Sequence, residues 1–158
     1  YPPPEWPPET PAREKLRMFV RAMLSRMLEP SESSWPVRLL MREMIEPTGA
    51  CQSIVEDFIR PQLRQLLNIL REILPGPLPD YRYMQLAFSI IGQCLHYRVA
   101  AEFVSLLVPA DERAAHFGVD ELAGHISDFS IAALDSFLLA SRHDSGRNAR
   151  AKATETIG

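Results

Sequence analysis

The longest unbroken hydrophobic pattern in the chain runs from Tyr81 to Leu107, YRYMQLAFSIIGQCLHYRVAAEFVSLL. Between Arg82 and Arg98 it carries no charge and no proline, and its one glycine is Gly92. Apolar residues on nearly every side predict a helix buried on more than one face, around which the rest of the chain is organised. Its polar residues fall in a row: Gln85, Ser89 and Gln93, continued by Tyr97, with Gly92 and His96 beside them. A four-residue repeat makes one narrow stripe along a helix. Such a stripe either lines a pocket or meets a partner helix.

Four further elements read as helices. Leu16, Phe19, Val20, Met23, Leu24 and Met27 give one apolar face over residues 11–28, with Thr10 as the expected cap and Pro11 as first residue. Arg13, Lys15, Arg17, Arg21 and Arg26 fall mostly elsewhere and read as a solvated basic face, a phosphate contact being the alternative. A second helix starts near Trp35, capped by Ser33 or Ser34, and stops before Pro47. The third covers residues 51–74 and keeps its period across Pro61, which predicts a kink near Phe58. The last runs from about Val119 to Ser141, and its small residues Ser127, Ser130, Ala132, Ala133 and Ser136 permit close helix approach. A short extra helix is possible near Glu112.

No strand pattern appears, so the fold is read as an all-α bundle of five to six helices. Residues 1–11 hold six prolines and should be an extended linker; a ligand for a proline-recognising domain is the other reading. Residues 12–141 form the domain. Residues 142–158 lack apolar content and are expected to be a disordered polar tail. The central and last helices are more apolar than one small domain needs. A homodimer with a four-helix interface would cover them, and Ser89, Gly92, Phe103, Ile126, Phe129, Ala133 and Phe137 are the candidate contacts.

At 158 residues the chain can bury a sizeable core, and a net charge of −3 excludes general electrostatic binding of nucleic acid. Cys51 and Cys94 sit in helical patterns and read as reduced thiols of a cytoplasmic protein. The opening prolines and acids do not form a signal peptide, and polar residues interrupt the central stretch, so no membrane span is expected.

No phosphate loop, nucleophile elbow or Cys-x-x-Cys pair is present, and no enzymatic activity or cofactor is expected. Glu121, His125 and Asp128 have metal-ligand spacing on one helical face, but an exposed polar face explains them, and no metal is assigned. A pocket between helices is the better candidate. Its expected lining is Gln93, His96 and Tyr97 with Trp35, Arg38 and Arg42, an arginine pairing with an anionic ligand and an aromatic ring stacking on it.

The blocks LLMREMIEPTGA (39–50), VEDFIRPQLRQLLNILREILP (55–75), SIIGQCLHYRVA (89–100) and HISDFSIAALDSF (125–137) resemble the C-terminal domain of TetR/AcrR-family transcriptional regulators, CecR-type subgroup. The resemblance covers about residues 12–140. It implies a domain that dimerises through its last two long helices and binds a small-molecule effector. Members of that family begin with a helix-turn-helix domain. Such a domain is missing from this sequence, whose proline-rich start falls where the linker from it would lie. The expectation is therefore a truncated repressor, with operator binding carried by the missing part. The alternative is a helical interaction module that works through its surfaces without a pocket.

Overall fold

A computed structural model describes residues 4–29, 35–76 and 78–155, with backbone alone for 35–37 and 140–155. Helix α1 spans Ala12–Leu28. Its cap is the extended Pro11 (φ −59°, ψ 144°), with no side-chain hydrogen bond. Thr10, expected as the cap, lies one residue too early; its N–H donates to the Pro7 carbonyl at 3.1 Å. Leu16, Phe19, Val20 and Leu24 of α1 are fully buried. The helix packs against all three of the other long helices described below, so α1, rather than the Tyr81–Leu107 stretch, is the hub of the fold.

Helix α2 spans Trp35–Ile45 and stops ahead of Pro47; Ser33 and Ser34 lie outside the described residues. Helix α3 (Cys51–Ile54), a π-helical segment (Val55–Ile59) and α4 (Arg60–Ile73) follow without interruption. The expected disturbance at Pro61 takes this π form. Pro61 has no N–H to return to the Asp57 carbonyl, and its ring crowds that turn. Widening the preceding turn absorbs both defects. After α4 the chain reverses, and the Tyr83 hydroxyl donates to the carbonyls of Leu74 (2.9 Å) and Gly76 (3.3 Å) to hold the reversal.

The central stretch is not one helix. It divides at Ala100 (φ −97°, ψ 18°) into α5 (Asp80–Val99) and α6 (Ala101–Leu107); nothing in the local sequence marks that position. Helix α7 (Ala110–His116) is the short element expected near Glu112. Helix α8 runs from Val119 to Glu155, through the polar region read as a tail. Alanines 149, 151 and 153, interleaved with Arg150 and Lys152, are strong helix formers. No strand occurs among the described residues.

The core lies where α1 meets α4, α5 and α8. Ala123, Ser127 and Ser130 are buried on α8, and their small side chains let it approach α1 closely. Along the rim, Arg13, Arg17 and Arg21 of α1 pair with Asp135 (2.5 Å), Asp128 (2.6 Å) and Asp120 (2.6 Å) of α8. The reversed order of the partners is what an antiparallel pair requires. Much of the α1 basic face is thus engaged by α8. Val119–Leu139 is long and apolar enough to cross a membrane by length and composition. In the bundle that segment buries one face against α1 and carries the three aspartates of the ion pairs.

Candidate functional site

A cavity of about 420 Å³ opens between the C-terminal half of α1, α2, α3 with its π-helical continuation, the start of α4 and the middle of α5. That size is in the range of small-molecule sites. Its walls follow from helical spacing. Met23 and Met27 stand one turn apart on α1; Leu39, Leu40 and Met44 line α2; Ile54, Val55, Phe58 and Ile59 come from the third helical rod; Phe88, Ile91 and Leu95 come from α5. The π segment contributes Val55, Phe58 and Ile59 to the cavity wall.

Three polar side chains, Arg26, Glu43 and Gln62, interrupt this apolar lining among the described residues. Glu43 is only 4% exposed on a helix whose neighbouring residues are open to solvent. It is fully occupied: the Thr48 N–H donates to one carboxylate oxygen and the Thr48 hydroxyl to the other, each at 2.8 Å. The N–H first, and the hydroxyl second, hold its carboxyl below the usual range. The same hydroxyl accepts the Ala50 N–H at 3.2 Å. Glu43 therefore ties α2 to the turn that starts α3. Arg26 and Gln62 are likewise engaged within the chain.

Among the described side chains, Arg38, Arg42, Gln93, His96 and Tyr97, expected to line a pocket, do not line this cavity. Arg38 and Arg42 are exposed on α2, and the Trp35 side chain lies outside the described residues. Gln93 projects from another side of α5 and donates to the Ser89 carbonyl at 3.3 Å. His96 meets Tyr97 edge-on at 5.5 Å, and Tyr97 meets Phe117 at 6.2 Å, so this pair belongs to the junction with α7 and α8. The polar stripe of α5 is exposed at Gln85 and Ser89 and ends half-buried at Gln93 and Tyr97, and the cavity is served by a different, apolar face. A sequence signal for the cavity did exist: Leu39, Leu40 and Met44 on α2 and Ile54, Val55, Phe58 and Ile59 on the next rod are apolar in short elements with few core neighbours.

The candidate dimer contacts separate into two groups. Ser89, Gly92, Phe103, Phe129 and Ala133 are exposed. Ile126 is 1% exposed inside the chain's own core, and Phe137 packs partly against that core. Asp128, one of the three residues with metal-ligand spacing, is taken by Arg17, and no metal-ligating cluster occurs among the described residues.

Residues 12–134 match the family model of the C-terminal domain of the HTH-type transcriptional dual regulator CecR, a TetR-family regulator. The chain belongs to this family. No curated protein matches it. The match takes in α1 to α7 and the core-forming part of α8, so the CecR-type domain coincides with the packed bundle and the whole of the cavity. Its role is that of a regulatory domain of a transcriptional regulator.

Proposed function

We propose that this CecR-type domain senses a small-molecule effector and forms a homodimer, within a cytoplasmic transcriptional repressor whose operator contact belongs to a helix-turn-helix domain. The observation that carries the effector reading is the cavity of about 420 Å³ in a regulatory domain, walled by five helical segments. Ligand sites between helices of a bundle have this form. Binding regulates only if ligand and DNA favour different states of the dimer. A thermal-shift screen tests it: at least one apolar compound should raise Tm in the parent and lose that effect in Ile91→Trp, which fills the cavity. A screen in which no compound distinguishes the two proteins rejects effector sensing.

Support for the dimer comes from the outer face of the bundle. Phe103, Leu106 and Leu107 on α6 and Phe129 on α8 are 61–83% exposed, and large apolar side chains left open in this way mark interaction surfaces. The same face would serve an interaction module with a different partner. Light scattering decides between them, because only the homodimer gives twice the chain mass in the absence of another protein.

A further inference from the structure

Resting on the effector-site reading above, we infer that the cavity takes an uncharged, predominantly apolar molecule, which completes the packing of α2 against the bundle. Two independent features lead there.

The first is the state of the polar groups. A charged ligand would need an opposite charge free to meet it, since moving an ion from water to an apolar wall without a partner is strongly unfavourable. Glu43 has both oxygens committed to Thr48, so a cation would compete with the bonds that hold the turn into α3. Arg26 is already engaged within the chain, so it does not offer an uncommitted charge to an anion. The remaining wall offers methionine, leucine, isoleucine, valine and phenylalanine side chains. Flexible thioethers adapt to varied apolar shapes and make favourable contacts with aromatic rings.

The second is the way α2 is attached. Its main neighbour is α3, and its apolar residues Leu39, Leu40 and Met44 face the cavity. Phe58 and Phe88 on the opposite walls are 39% and 56% exposed. What separates α2 from α5 is thus the cavity itself, and an apolar occupant would supply the contacts that a packed core supplies elsewhere. Cys51, half-buried on the same wall, is placed to report on occupancy.

The test uses matched probes on the full chain. N-phenyl-1-naphthylamine is neutral; 1-anilinonaphthalene-8-sulfonate has the same rings with an anionic group, and rhodamine 6G is an apolar cation. The expected result is saturable binding of the neutral probe at least tenfold tighter than either charged one. It should slow iodoacetamide alkylation of Cys51 and increase hydrogen-exchange protection across residues 38–59. Ile91→Trp should weaken binding at least tenfold and abolish the protection of Cys51. Leu40→Trp, on the opposite wall, replaces it if that variant fails to fold. Phe103→Ser, on the outer apolar face, should leave both readouts unchanged. If a charged probe binds as tightly as the neutral one, and cavity filling still removes it, the ligand class is wrong and the effector site stands. If no probe saturates or protects Cys51, or if neither filling variant has an effect, both readings fall.

Discussion

At the residue scale, burial decides most of the chemistry. Burial pushes the Cys94 thiol up to about 12, while Cys51 is only half-buried. A thiol whose folded pKa is raised stabilises the fold below its unfolded value, about 8.5, and that contribution is lost as pH rises toward the folded value. Unfolding midpoints should therefore fall between about pH 9 and pH 12, and less so in Cys94→Ala measured against its own neutral-pH value. In the native protein at pH 8, a thiol reagent should label Cys51 quickly and Cys94 only through opening of the core. Glu43 works in the opposite direction. Its folded pKa is lowered by Thr48, so its contribution is complete above the ordinary carboxylate value and disappears as pH falls through the lowered one. Amides of residues 46–50 should lose hydrogen-exchange protection in acid, and Glu43→Gln should show that loss already at pH 7. In the core, Leu70 is fully buried among α1, α4 and α5. Leu70→Ala should cost about 2–5 kcal/mol by denaturant titration.

At the element scale, the antiparallel seam between α1 and α8 rests on small buried side chains, with the ion pairs at its rim. The paired groups are partly exposed, and such pairs contribute at most about 1 kcal/mol each. Exchanging the partners, Arg17→Asp with Asp128→Arg, should recover most of the stability lost in either single variant, and raised salt should shrink the difference. The buried Ser127 and Ser130 hydroxyls have no hydrogen-bond partner among the described residues, so Ser127→Ala should be neutral or raise Tm. Helix existence was legible in the sequence because the apolar period of each segment is strong; α1, α2, the rod over 51–73 and the onset of α8 begin and end within a residue or two of where caps and prolines put them. The hub was not. Hydrophobicity alone singled out α5, whereas centrality belongs to α1, whose single apolar face is wide enough to meet three neighbours. The division at Ala100 was also hidden, since it changes no residue types that periodicity reads, whereas Pro61 marked the disturbance near Phe58 and left only its π form unread. The cavity was missed for a related reason. Polar residues were taken as its markers, and its wall is built from apolar side chains that look like core.

For the whole molecule, assembly follows from what the bundle leaves uncovered. Phe129, Ala132, Ala133 and Ser136 are exposed together on α8, at the spacing of one helical face. Ser89 and Gly92 are exposed on α5, and a Cβ added at Gly92 would meet nothing within 4 Å. Small residues on both helices suit close approach of a second copy, and Phe129 supplies a large apolar anchor of the kind that dominates interface energetics. Ile126 sits in the core only three residues from Phe129, which separates two effects that a mutation could confuse. Phe129→Asp should convert the proposed dimer to a folded monomer, with unchanged helical circular dichroism and half the mass by light scattering at about tens of micromolar. Ile126→Asp should instead unfold the chain, because it buries a charge with no partner. If Phe129→Asp keeps the dimer, the interface lies on the α6 face around Phe103, Leu106 and Leu107, and the same substitution at Leu106 should then dissociate it.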